Sequence, residues 1–207
     1  MIVYVESNFI LELALEQKEA PIVDDILKLA ENGVIDLTFP GFSLGETFTS
    51  IMHTQSERQG LRNRSDTILK QLRQSVQSEL HKQVVSSLPP ILILLTELAA
   101  RELELLHTTV ERMLRAGRSI EVNASGFLQA VVYQNTFGMR PKDSIIYAAI
   151  IDDLKQQSVS EQKCFLSSDR KAFNDDPEIK AQLSAYACRY ISSFSDGFRY
   201  IQRFVSL

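Results

Sequence analysis

Cysteine is scarce in this sequence: Cys164 and Cys188 stand alone, in apolar surroundings and without CxxC spacing. That argues against a disulfide framework and predicts two buried free thiols in a reducing compartment. Long apolar runs are missing too. The most apolar stretch, Ile91 to Leu95, is five residues long, whereas a membrane-spanning helix needs roughly 20. The N-terminus has no basic region, and Glu6 interrupts its short apolar run, so no secretory signal is expected. Internal repeats, low-complexity tracts, a Walker loop, a GxGxxG turn and a Ser-His-Asp arrangement are all absent. The three histidines, His53, His81 and His107, fall on polar helical stretches and read as surface residues far from the acidic motifs. These absences predict a soluble cytoplasmic protein with no membrane contact.

What is present suits a globular chain. Hydrophobic residues make up 44% and charged residues 23% of 207 residues, enough for one domain with its own core. The net charge is −4. A dedicated nucleic-acid binder is often basic overall, so any such role here needs a local basic patch.

Ile2 to Val5 reads as a buried strand that feeds a helix carrying Phe9, Ile10, Leu13 and Ala14. A second helix follows Pro21 and ends near Gly33; Val34 to Phe39 reads as the second strand. Ser43 to Met52 is predicted helical. From Glu57 to about Gly117 the pattern predicts two long helices forming an antiparallel arm, broken at Pro89-Pro90, with an apolar stripe from Leu92 to Met113. That stripe is either packing within the arm or a protein interface, and exposed stripes of this kind leave a homodimer open. Ser119 to Val122, Lys163 to Ser167 and Arg189 to Phe194 read as further strands. Helices are expected over Phe127 to Phe137 and from about Asp143 onward, where Ile145, Ile146, Ala149 and Ile150 make one apolar face. The alternation predicts an α/β fold: three layers, α/β/α, around a parallel sheet of about five strands.

Open parallel sheets place ligand sites beyond the carboxyl ends of their strands. Glu6 follows the first strand and Asp169 the fourth, while Glu46 and Asp143 lie on helices able to lean over the same edge. Four carboxylates brought together suppress one another's ionisation unless a cation lies between them. An oxygen-only ligand set favours a hard ion, Mg²⁺ or Mn²⁺, and the chemistry that follows is phosphate-ester hydrolysis. Taken singly, each residue has a plain alternative: Glu46 an exposed helix residue, Asp143 a helix cap, Asp169 a turn residue.

The residues around these positions resemble the PIN-domain family of nucleases. Val3-Tyr4-Val5-Glu6-Ser7-Asn8 stands where that family has a strand, an Asp and a small hydroxyl residue. Leu44-Gly45-Glu46 matches its helical Glu, and Arg140-Pro141-Lys142-Asp143-Ser144-Ile145-Ile146 its Asp before an apolar helix. Phe165-Leu166-Ser167-Ser168-Asp169-Arg170-Lys171-Ala172-Phe173 matches its strand–Ser/Thr–Asp–basic signature. The likeness covers roughly residues 1–55 and 119–195. It implies one PIN-like domain over residues 1–207 with a helical insertion at about 56–118, and Mg²⁺- or Mn²⁺-dependent cleavage of RNA. It also implies Glu6, Asp143 and Asp169 as metal ligands, Glu46 as a fourth catalytic carboxylate, and kinship with toxins of toxin–antitoxin pairs, whose antitoxin is a separate protein. Glu6 departs from the family's Asp by one methylene, which bears on catalytic efficiency.

Supporting roles are open in both directions. Ser7 and Ser168 either orient a carboxylate or cap the following helix, Asn8 either braces Glu6 or is an ordinary first-turn residue, and Asn174 or Asp175 is either a further acidic-site residue or loop before Pro177. Arg170 and Lys171 are candidates for phosphate contact. So is the arm, where Arg58, Arg62, Arg64, Lys70, Arg73 and Lys82 outnumber Glu57, Asp66 and Glu79. That segment has no aromatic residue to stack a base. The leading expectation is a metal-dependent endoribonuclease, with DNA not excluded as substrate. The alternative is a catalytically weakened PIN-like module that binds RNA or a protein partner, and a basic side chain occupying the acidic pocket would favour it.

Overall fold

The structure, a computed structural model, describes residues 1–75, 79–173 and 177–205. Its sheet contains β1 (Ile2–Val5), β2 (Asp36–Pro40), β3 (Arg118–Ile120), β4 (Lys163–Leu166) and β5 (Cys188–Ile191), all parallel, in the order β3-β2-β1-β4-β5. β1 and β4 are buried at every position, as continuous apolar runs must be when helices cover both faces of a parallel sheet. Chain order reverses between β1 and β4, and that is where an open α/β sheet opens a crevice. Val5 pairs with Leu166 at the ends of these two strands. Glu6 and Ser167 therefore emerge side by side.

The period-two alternation of the strands divides the apolar residues between two cores. Val3, Val5, Leu37, Phe39, Cys164 and Leu166 pack under α1 (Ser7–Ala14), α2 (Ala20–Glu31), α9 (Phe194–Ile201) and the sheet-proximal parts of α3 (Gly41–Ser75) and α4 (Glu79–Ala116). Ile2, Tyr4, Phe165 and Cys188 face the other way, against α5 (Ala124–Phe137), α6 (Pro141–Leu154), α7 (Arg170–Phe173) and α8 (Pro177–Ala185). The result is a three-layer α/β/α arrangement. Both cysteines are free and buried in these cores. Among the described residues, no helix is long and apolar enough to cross a membrane.

Several boundaries differ from expectation: β2 runs Asp36–Pro40 rather than Val34 to Phe39, and β3 Arg118–Ile120 rather than Ser119 to Val122. The fifth strand stops at Ile191 because Ser193 caps α9, its Oγ accepting the Asp196 N–H, and Phe194 is already helical. α3 is one helix from Gly41 to Ser75, with no interruption between the predicted Ser43–Met52 helix and the arm. Pro89 and Pro90 do not break the arm; both lie inside α4. Each proline removes a backbone donor, yet α4 continues through both.

The arm is fastened at two levels. Along its length, Gln55 donates to the Ala99 carbonyl, Arg62 to Thr96, and Arg58 pairs with Glu102 at 2.5 Å. At its base, Leu106 and Met113 are fully buried in the sheet core, and Arg112 bridges Asp24 and Glu31 on α2. The apolar stripe is thus internal packing at its C-terminal end. α6 is clamped at its far end. Asp153 accepts the Tyr4 hydroxyl at 2.6 Å and both terminal nitrogens of Arg118 at 2.6 and 2.8 Å. That clamp ties α6 to β1 and β3 about 15 Å along the axis from Asp143.

Candidate functional site

Glu6 is the residue at which β1 ends, and it serves as N-cap of α1, its Oε2 accepting the Asn8 N–H at 3.1 Å. Its other oxygen accepts the Ser167 hydroxyl, across the crevice, at 2.8 Å. Only 4% of Glu6 is exposed. Burial raises its pKa to about 7, with the nearby charges of Glu46 and Asp169 adding to the rise against the two hydrogen bonds. Among the described residues, no lysine or arginine pairs with it.

Asp169 is set by the turn after β4. Its N–H donates to Ser167 Oγ at 3.1 Å, and its Oδ1 accepts the Ala172 N–H at 3.1 Å. Asp143 lies in the first turn of α6, where the helix dipole favours a carboxylate. It is nonetheless buried, and desolvation followed by the charge of Asp169 raises its pKa, with Lys142 and Arg140 opposing. Arg140 approaches it only to 3.9 Å. Glu46, one turn into α3, accepts a very short hydrogen bond from the Ser7 hydroxyl and an ion pair from Lys142 at 2.6 Å. Glu46 and Asp169 therefore lie close enough for their charges to act on both Glu6 and Asp143.

The four carboxylates do not form a finished cage. Among the described residues, no three acidic, histidine or cysteine side chains stand at metal-ligating spacing. The donor chemistry still fits a hard cation. All the donors are oxygen, Glu6 is a buried carboxylate beside two further acids, and Asp143 and Asp169 each keep unused oxygen lone pairs. Glu6, Asp143 and Asp169 are the residues that would hold one, while Glu46 is engaged by Ser7 and Lys142.

The predicted supporting residues divide. Ser7 orients Glu46 and caps nothing; Asn8 braces Glu6 through its backbone N–H, with no role for its side chain in that contact. Ser168 is exposed and contributes its carbonyl to the Arg170 N–H. Asn174 and Asp175 lie outside the described residues. Ser167, Tyr190 and Lys142 escaped the sequence reading. Ser167 links Glu6 to Asp169, and the Tyr190 hydroxyl donates to the Ser167 carbonyl at 2.9 Å, holding the turn to β5. The strand–Ser signature did contain Ser167, but only the sheet register shows that it, and not Ser168, meets Glu6.

The basic surface is also redistributed. Arg58 and Arg62 are committed to the partner helix of the arm, while Arg64, Lys70, Arg170 and Lys171 are exposed. The Arg73 side chain lies outside the described residues. A hollow absent from the expectations lies where β5 meets α9, lined by Arg189, Arg199, Arg203, Tyr200 and Asp196, with Arg199 paired to Asp196 and Arg189 stacked over the Tyr200 ring at 5.2 Å. His53 is exposed but not remote from the acidic residues: it lines a cleft together with Glu46 and Lys142.

Compared with known proteins, the chain matches no family model, no curated protein and no solved structure.

Proposed function

We propose that this protein is a metal-dependent endoribonuclease of PIN-like design, hydrolysing phosphodiester bonds at the crevice between β1 and β4. The observation that carries the reading is Glu6, a buried, unpaired carboxylate at the sheet's switch point, electrostatically coupled to Asp169 and Glu46. Mutual repulsion of that kind is relieved by a divalent cation. Glu6, Asp143 and Asp169 would hold Mg²⁺ or Mn²⁺, whose charge offsets the negative charge that gathers on the phosphodiester. Ser167 orients Glu6 and fixes the turn that presents Asp169. Glu46, held by Ser7 and Lys142, would take a proton from attacking water. Lys142, Arg170 and Lys171 supply cations for the phosphate oxygens. RNA is the substrate this reading favours, and an inhibitory partner such as an antitoxin would be a separate chain.

One observation favours a second reading, a catalytically weakened module that binds RNA or a protein. Lys142 sits on Glu46, and the carboxylates stop short of ligating spacing. Incubating mixed-sequence single-stranded RNA with Mn²⁺, Mg²⁺ or EDTA, beside Asp143→Asn, separates the two. The nuclease reading expects metal-dependent cutting that the substitution removes. Intact RNA from folded protein supports the binding module.

A further inference from the structure

A cleft of about 730 Å³ lies between the first turns of α3 and the start of α6, with Glu46 of the acidic residues on its lining. Its walls combine two chemistries. Phe42, Gly45, Glu46, Thr49 and His53 line it from one face of α3 at helical spacing, and Lys142 lines it from the start of α6. Phe42 is 39% exposed, and among the described residues no other ring stacks on it. Gly45 faces open space, with no atom within 4 Å of where a Cβ would stand. A flat, partly apolar slot is left beside an exposed aromatic ring. Lys142, 46% exposed and paired with Glu46 at 2.6 Å, puts an ammonium group on the cleft's lining.

A flat apolar surface next to a cation next to a hydrolytic site is the arrangement that holds a nucleotide by its base and its phosphate. Bases stack on aromatic side chains irrespective of sequence, and the backbone needs a positive charge nearby. From His53 the surface continues along α3 past Glu57, Gly60 and Leu61 to Arg64, giving the strand an exit that ends on a second cation. The arm otherwise lacks aromatic residues over its basic stretch, which makes Phe42 the stacking platform on this track.

We propose that the α3–α6 cleft seats the nucleobase adjoining the scissile phosphate of a single-stranded RNA, with the base against Phe42 and over Gly45 and the phosphate at Lys142. The inference rests on the nuclease reading for its substrate, but its test does not depend on cleavage.

The test is binding of a fluorescently labelled single-stranded RNA oligomer to the full chain in EDTA, where no cutting interferes. Phe42→Ala is expected to weaken binding roughly ten- to a hundred-fold, the range of one lost base–aromatic stack. Gly45→Leu puts a side chain into the slot from a position where a Cβ meets no atom within 4 Å, so it should weaken binding as much while melting no lower than the parent. An oligomer with abasic sites should bind the parent as weakly as normal RNA binds Phe42→Ala. Leu128→Ala, on the exposed outer side of α5, should leave binding unchanged. Parent-like affinity in both cleft variants would overturn the proposal, even if the protein cuts RNA in Mn²⁺. Failure of the parent to bind single-stranded RNA would overturn it as well and leave the cleft to an apolar group of a protein. Slot-dependent binding without any cutting would uphold it while removing the nuclease reading.

Discussion

Glu6 concentrates the site's physics in one side chain. Its folded pKa, about 7, lies above the 4.5 of the free group, so the folded protein holds a proton that the unfolded chain releases. Stability in EDTA should therefore fall as pH rises from about 4.5 to about 7, by about 3 kcal/mol for that one group. Glu6→Gln should flatten this part of the profile and melt higher than the parent at pH 8. Denaturant titrations at pH 5 and 8 measure both effects; a parent that is more stable at pH 8 than at pH 5, with the Glu6→Gln variant no different, contradicts the assignment. Ser167 acts one step back. Removing its hydroxyl in Ser167→Ala takes a donor from Glu6 and an acceptor from the Asp169 N–H. Mn²⁺ affinity by calorimetry should drop roughly ten-fold, the scale of an outer-sphere loss at a metal site. Unchanged affinity would mean that Glu6 and Asp169 need no such brace.

At the scale of elements, the arm shows where sequence reading stops. Charge counts along α3 made Arg58 and Arg62 candidates for phosphate, but a one-dimensional count cannot see that both side chains reach α4. The hollow at β5 and α9 was hidden for the opposite reason: Arg189 and Arg203 are far enough apart in sequence to look unrelated. Salt dependence separates paired from exposed cations. Arg170→Ala combined with Lys171→Ala should reduce the log–log salt slope of RNA binding by about 0.7 for each phosphate no longer neutralised. Arg58→Ala should leave the slope alone and lower the melting temperature. α6 offers a structural counterpart. Asp153→Ala leaves the buried Tyr4 hydroxyl and Arg118 without their acceptor, and should cost about 2–3 kcal/mol in a denaturant titration. A cost near zero would show that the clamp does not hold α6.

For the molecule as a whole, the sheet was the legible part. Strand runs such as Ile2–Val5 and Lys163–Leu166 are buried on both faces, so their apolar content alone announces them. Strand ends were less legible, because a cap such as Ser193 or a short edge strand depends on tertiary pairing. The acidic residues could be placed at one sheet edge from the strand–helix alternation. Their separation, and Lys142 lying on Glu46, needed three dimensions. The strand order β3-β2-β1-β4-β5 joins these levels, since it alone makes the ends of β1 and β4 neighbours and so turns Glu6, Ser167 and Asp169 into one site.

The most direct test of that site is single-turnover cleavage of end-labelled single-stranded RNA in Mn²⁺ by the parent, Asp143→Asn and Glu6→Asp. A metal-dependent nuclease centred on Glu6 should show cutting by the parent, none in EDTA, none by Asp143→Asn, and retained or faster cutting by Glu6→Asp. Cutting that survives EDTA or Asp143→Asn, or RNA left intact by folded parent and Glu6→Asp alike, would contradict it.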